Sequence, residues 1–375
     1  MAILTSEDSV IGQRIEDGLA GASEPWGTES ENIGSSGNAA DPDPGQAGRQ
    51  GGALNQLLSP ANLRRAQRLA DKLPPRWSRR TRELGKQILN YRGARSTMAR
   101  GMLFWYLGRL TPLVATPFGD GKILVDTSDQ EISRVVFMRG EYERLYMAAA
   151  VDYLRAELGR PVGPLFVDVG ANIGVSALDA LLHFGFQEAM CFEPDSRSFR
   201  ILQANLLLND LDGRAQAHQV ALSDKEGESL LQRSRTNFGD SRLLAPGERP
   251  EGELDAERCA TRRLDAFFED ERDLDGRVGL LWIDAQGHEP QVLAGCPKLL
   301  ASGAPVVLEY WPKGLRASGG LERFEALVAD GFSSVVDLRR LCAGERSDAR
   351  MPAGSIAALR SRYLNAEFTD LLLIR

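Results

Sequence analysis

At 375 residues the chain has room for one large domain and an appendage. Its hydrophobic fraction of 43% and charged fraction of 26% are those of an ordinary globular protein, which excludes a fibrous or wholly disordered chain. A net charge of −7 argues against a general nucleic-acid binder, although the charge is unevenly spread. Cys191, Cys259, Cys296 and Cys342 form no C-x-x-C pair, so they read as reduced thiols of a cytoplasmic protein rather than a disulfide frame or zinc site. His183, His218 and His288 show no metal spacing, and no metal is expected, although Asp284 and Glu309 are a pair of acids that could share an ion.

Residues 1–52 read as a disordered tail. They are rich in Gly, Ser, Pro, Asn and acids, and they carry too little apolar surface to offset the entropy of ordering. The basic start and apolar core of a signal peptide are absent. Residues 53–115 reverse the character and read as a basic helical segment. Arg64, Arg65, Arg68, Lys72, Arg76, Arg79, Arg80, Arg82, Lys86, Arg92, Arg95 and Arg100 face only Asp71 and Glu83. Apolar residues at helical spacing are interrupted at Pro74-Pro75. This is a solvated basic face, or a peripheral docking surface for an anionic membrane or an anionic substrate. The apolar stretch 102–107 is too short to span a bilayer, and packing against the following domain is its expected role.

The domain from 116 to 375 begins with an entry module. Short strands are expected at 122–126 and 135–137, followed by a helix from 139 to about 158. Gly159, Pro161, Gly163 and Pro164 then break the chain before the first core strand.

Residues 165–174 organise the rest of the chain. A continuous apolar run, as in a strand buried on both faces, carries Asp168 and ends in a Gly-rich turn with Gly170, Asn172 and Gly174. A helix is expected over 175–184. This is the opening of a nucleotide-binding βαβ unit, in which the turn and the helix N-terminus approach a ligand. A dinucleotide fingerprint would need small residues where Asn172 and Val175 stand, which disfavours a nucleotide-dependent dehydrogenase. Asp168 would repel a pyrophosphate and attract a cation. S-adenosyl-L-methionine, with its ammonium and sulfonium, fits such a turn better. The strand at 189–192 ends in Glu193-Pro194, where a βαβ unit hydrogen-bonds ribose hydroxyls.

A helix is expected over 196–208 and a third strand over 217–222, closed by Ser223-Asp224, candidates for the adenine amino group or else a simple turn. Strand-rich or loop material occupies 227–244 and 259–268, with Asp265 capping a helix. The fourth strand, 280–283, ends at Asp284, with Gln286, His288 and Glu289 behind it and Pro290 starting a helix. Strands at 305–309, 332–338 and 368–374 and a helix at 321–330 complete the domain.

These residues resemble the FkbM-type family of S-adenosylmethionine-dependent methyltransferases over about 122–375. The resemblance rests on Gly140-Glu141-Tyr142-Glu143, the run from Phe166 to Gly174, Phe192-Glu193-Pro194, Asn205, Asn209, Ala221-Leu222-Ser223-Asp224, the run from Trp282 to Glu289, and Leu308-Glu309. It implies a doubly wound α/β, Rossmann-like methyltransferase sheet and usually O-methylation of a sugar, glycan or secondary-metabolite hydroxyl. The family commonly has Glu where this chain has Gln286, a departure that supports the alternative of a non-catalytic binding module. Asp284, His288 and Glu289 remain, so an active enzyme is expected. Its cofactor set is expected to be Asp168, Gly170, Asn172, Gly174, Glu193, Pro194, Ser223, Asp224 and Asp284. His288 is the first choice as base, with Asp284 positioning and Glu289 in reserve. The acceptor is a small molecule or glycan, and no nucleic acid is expected.

Overall fold

The structure, a computed structural model, describes residues 97–375 apart from 157–158, 160–161, 246, 251–254, 271–273, 275 and 364–366. The expected tail at 1–52 and most of the basic segment lie outside the described residues. In chain order the elements are α1 (Thr97–Leu107), β1 (Leu113–Phe118), β2 (Gly121–Asp126), α2 (Ile132–Arg139), α3 (Arg144–Ala156), β3 (Leu165–Val169), α4 (Val175–His183), β4 (Glu188–Phe192), α5 (Ser196–Leu208), β5 (Ala215–His218), β6 (Ala221–Leu222) and β7 (Gly227–Gln232). Next come β8 (Arg242–Leu243), β9 (Ala256–Arg262), β10 (Val278–Ile283), α6 (Glu289–Ala294), α7 (Pro297–Ala301), β11 (Val306–Tyr310), α8 (Pro312–Ala317), α9 (Leu321–Gly331), β12 (Ser334–Asp337), α10 (Leu338–Cys342), α11 (Arg346–Ala349), β13 (Arg350–Pro352) and β14 (Thr369–Ile374).

The central sheet runs β13-β12-β14-β11-β10-β3-β4-β5. Strands β11, β10, β3, β4 and β5 are parallel, and β14 inserts antiparallel between β11 and β12. Every residue of β3 and of β10 is buried, because helices cover both faces of the sheet. On one face Phe166 and Trp282 pack with Val151, Leu178 and Ile201 of α3, α4 and α5. On the other, Val167 and Ile283 pack with Val292, Leu299 and Phe324 of α6, α7 and α9. That is the doubly wound architecture expected. Strand order reverses between β3 and β10, and the crevice outside the carboxyl ends of strands at such a switch point is where open α/β sheets bind ligands. A smaller sheet, β6-β9-β7-β8, stands beside the central one.

Several local expectations are corrected. Residues 135–137 lie in a helix, not a strand. Ile132 and Val136, four apart, bury one face of α2, and Asp129 accepts the Ser133 N–H at 2.8 Å, so tertiary burial and capping override β-branched propensity. Arg139 ends that helix instead of starting the next, and Gly140 caps it at φ +78. The third strand divides. Residues 215–218 pair with β4, and after a tight turn 221–222 join the small sheet. Asp265 caps no helix of its own; it accepts the N–H groups of Lys298 (2.8 Å) and Leu299 (3.0 Å) at the start of α7. The strand expected at 122–126 is one half of a β1–β2 hairpin. That hairpin is stapled to the core by α5: the Asn205 amide bonds both backbone groups of Leu124 and the Ile173 carbonyl, and Asn209 does the same for Lys122.

Candidate active site

The Gly turn after β3 is fixed from both sides. The N–H groups of Gly170 and Ala171 donate to the Phe192 carbonyl at 2.9 and 3.0 Å, and the Asp284 N–H donates to Val169 O at 2.9 Å. Gly170 has φ +82, and a Cβ there would stand 1.8 Å from the Asp284 carbonyl oxygen, so no side chain fits between the ends of β3 and β10. Glu193 completes the turn: its Oε2 accepts the Asn172 N–H at 2.8 Å and its Oε1 the Asp195 N–H at 2.7 Å. Each oxygen keeps a further lone pair for a ribose hydroxyl. Burial pushes the Glu193 carboxyl up to about 8.

A cleft of about 620 Å³ opens at this switch point. Its floor is Val169, Gly170 and Asn172, its walls include Phe192, Val220, Leu222, Leu231 and Phe238, and Glu193, Pro194, Asp284, Gln286 and His288 also face it. Apolar walls suit an aromatic base. The lining holds two carboxylates and no Lys or Arg, which is unfavourable for phosphates and favourable for a cation.

A second cleft, of about 870 Å³, adjoins the first. Both are lined by Ile132, Gly239, Asp284 and Gln286, and the second adds Tyr142, Glu143, Asp240, Glu309 and Trp311. Asp284 therefore stands at the junction. Its Oδ1 accepts from Gln286 Nε2 at 2.6 Å, and the same amide reaches Glu309 Oε2 at 3.4 Å. Glu309 lies directly across from Asp370 of β14, so Asp284, Glu309 and Asp370 crowd the sheet edge. Burial first, opposed by the Gln286 hydrogen bond, raises the Asp284 carboxyl to about 6. Burial and the neighbouring carboxylates hold Glu143 and Glu309 well above the usual carboxylate range. Among the described residues no three His, Cys, Asp or Glu side chains gather as a metal site would require.

The structure brings Gly170, Asn172, Glu193, Pro194, Asp284 and His288 to the first cleft and places the other expected residues elsewhere. Asp168 is 1% exposed and does not line it. Strand alternation turns its side chain, like that of Phe166, toward α4; burial, with the Asp284 charge second, raises it to about 8, and Oδ2 accepts no hydrogen bond. Gly174, at φ +91, is the N-cap of α4 and packs near Leu202. Asp224 is tied to Arg323 at 2.8 Å, and the Ser223 hydroxyl lies 2.9 Å from His288 Nε2; the wall comes from Val220, Ala221 and Leu222 instead. His288 faces the first cleft but not the second, and burial lowers it to about 4. Glu289 is 1% exposed, and its Oε1 accepts the N–H groups of Ala285 and Gly287, both at 3.1 Å, so it clamps the loop rather than reaching a ligand.

Backbone strain marks the same place. Of the four described non-glycine residues with positive φ, three, Glu143 (+55), Asn172 (+49) and Gln286 (+48), line one or both clefts, and Asp210 (+57) lines neither. Tyr142 and Glu143 stand in the sequence only as parts of a resemblance, and Glu309 otherwise only as an acid able to share an ion with Asp284; a tyrosine and acids at strand ends and turns give no sign there that they share a cavity.

Residues 168–322 match the Methyltransferase FkbM domain, so the resemblance read from the sequence holds. The chain is 27% identical to "Methyltransferase sdnD" of Sordaria araneosa, over 52% of this chain and 84% of that protein. It is 30% identical to "2-O-methyltransferase NoeI" of Sinorhizobium fredii, over 39% of this chain and 63% of that protein. With "31-O-demethyl-FK506 methyltransferase FkbM" of Streptomyces tacrolimicus the identity is 29%, over 42% and 69%.

Proposed function

We propose, from the match of residues 168–322 to the FkbM methyltransferase domain, that this chain is an S-adenosylmethionine-dependent O-methyltransferase acting on a hydroxyl of a sugar, glycan or secondary metabolite. The observation that carries the reading is the meeting of two clefts at Asp284 and Gln286. One cleft suits the methyl donor, the other the acceptor. S-adenosylmethionine supplies a methyl group already made electrophilic by its sulfonium. Glu193 accepts from the ribose, the Gly turn supports the ligand from below, and the carboxylates of the first cleft offset its positive charge. The lining fits this cofactor, because a phosphate-bearing one would meet Glu193 and Asp284 without a compensating cation.

The second cleft holds the acceptor hydroxyl in line with the methyl group, and most of the acceleration comes from that alignment. As the new C–O bond formed and the methyl–sulfur bond broke to leave neutral S-adenosylhomocysteine, Asp284 would take the hydroxyl proton. Its elevated pKa places it near neutral pH, where a base gains most. His288, bonded to Ser223 and absent from the second cleft, supports the donor side. With no Lys or Arg and several acids, the second cleft favours a neutral acceptor over a phosphorylated one.

The test is incubation with methyl-labelled S-adenosylmethionine and a panel of neutral glycans and hydroxylated metabolites, read by mass. Label in an acceptor hydroxyl supports the reading. Tight calorimetric binding of S-adenosylmethionine without transfer to any class of acceptor would favour a non-catalytic module, and tighter binding of a nicotinamide dinucleotide would overturn the cofactor.

A further inference from the structure

We propose that the outer face of α1 is a docking surface that seats this protein on an anionic lipid membrane. Met102, Trp105 and Tyr106 stand at i, i+3 and i+4, so they share one stripe of α1, and Arg109 follows in the turn after Leu107. That stripe is apolar and faces outward: Met102 is 70% exposed, Trp105 62%, Tyr106 54%, and the neighbouring Leu110 65%. The inward anchor is Phe104, 1% exposed, with its ring centroid 5.3 Å from that of Phe137 in α2. Exposed large apolar residues are otherwise scattered over the described surface, so this concentration within nine residues asks for a partner.

Charge selects the partner. The Arg109 guanidinium lies 3.4 Å above the Trp105 ring, a cation held at the edge of the apolar stripe. The groove beside the stripe is lined by Met102, Trp105, Tyr106, Gln130, Arg134 and Met138, with no acid among its lining residues. Twelve basic residues from Arg64 to Arg100 precede the stripe in sequence, against Asp71 and Glu83, although the whole chain is −7. An anionic surface therefore attracts the basic run that leads into α1 in sequence, together with Arg109 beside the stripe. Trp and Tyr favour the headgroup level of a bilayer, and a short helix with one apolar face lies in that interface. No helix among the described residues is long and apolar enough to cross it. The groove is also one helix from the chemistry, because α2 carries Arg134 and Met138 in the groove and Ile132 in both clefts.

The experiment is flotation of the full chain with vesicles of phosphatidylcholine alone and of equal parts phosphatidylcholine and phosphatidylserine, at low and high salt, with no methyl transfer measured. We expect binding to the mixed vesicles only, weakened at high salt, and reduced at least ~10-fold by W105E with Y106E. Because both residues are exposed, an unchanged Tm separates lost docking from lost fold. R109E should weaken binding to mixed vesicles with the same fold retained. Absence of binding, equal binding to both vesicle types, or binding untouched by W105E with Y106E overturns the proposal. So does a solution dimer that W105E with Y106E converts to monomer without vesicles, since the face would then be a contact between copies. Failure here leaves the donor and acceptor assignments intact, because they are tested by transfer alone.

Discussion

Which side chain handles the proton is decided by small differences of place. Asp284 touches both clefts, while His288 touches only the first and spends its Nε2 on Ser223. Asp284→Asn is expected to lower kcat by roughly 10²–10⁴-fold and, because the carboxylate also offsets the charge of the methyl donor, to weaken cofactor binding as well. A base must be ionised to accept a proton, so the rate should rise as pH passes about 6, and that limb should vanish in the Asn variant. His288→Ala is expected to keep the limb, because burial holds the ring neutral down to about 4, and to change kcat by less than about tenfold. Steady-state rates between pH 5 and 8.5 distinguish them; loss of the limb in the His288 variant alone would return the base to His288. The sequence can place both residues after β10, but not say which cavity each enters. Asp168 shows the same difficulty. Its position before the Gly turn is legible, yet side-chain alternation sends it under α4, and the apolar residues around it give no visible alternation because both faces of β3 are buried.

At the scale of elements, the loop from β10 to α6 is the part whose shape the site most depends on. It turns through Gln286 at φ +48 and Gly287 at φ +91, and Glu289 holds that turn by accepting two N–H groups. Glu289→Ala leaves both donors buried without their acceptor, which costs about 1–3 kcal/mol, and should displace Gln286 enough to lower kcat. Glu289→Gln keeps an acceptor oxygen and should restore both stability and rate; a Gln variant as inactive as the Ala variant would make Glu289 the base after all. Thermal melts and rates on the two variants decide it. The elements themselves are largely readable. Strands β3, β4, β10, β11 and β14 and helices α4, α5, α6 and α9 announce themselves as apolar runs bounded by Gly, Pro and acids, and α5 spans the expected 196–208. What escapes is set by distant partners. Val135, Val136 and Phe137 look like a strand until the core on one side of α2 is known, and the break between β5 and β6 depends on the second sheet that β9 supplies.

At the scale of the whole molecule, the sheet edge carries an unusual load of buried carboxyls, and that load fixes how stability varies with pH. In an unfolded chain these groups titrate near 4. In the fold, burial raises Asp168 and Glu193 to about 8, Glu289 and Asp370 to about 7, and Asp284 to about 6. Between those limits the folded state binds more protons than the unfolded one, so the free energy of unfolding falls as pH rises. His288 acts oppositely between about 4 and 6.5, where the unfolded state binds its proton more readily, and burial lowers His183 and His218 in the same direction, but the raised carboxyls outnumber the three histidines. The ligand-free protein is therefore expected to melt at a lower temperature at pH 8 than at pH 5.5. A cationic ligand at Glu193 and Asp284 favours their ionised forms, so S-adenosylmethionine should raise Tm more at pH 8 than at pH 5.5. At ~100 times its Kd a ligand adds about 2.7 kcal/mol, and for a domain of this size each kcal/mol shifts Tm by about 2–4 °C. S-adenosylhomocysteine keeps the ammonium but lacks the sulfonium charge, so its added gain at pH 8 should be smaller. Scanning fluorimetry at both pH values with each ligand measures all three. A Tm that rises from pH 5.5 to 8 without ligand would mean the acids are stabilised as anions in the fold, and equal gains from the two ligands at pH 8 would mean that charge complementarity does not select the cofactor.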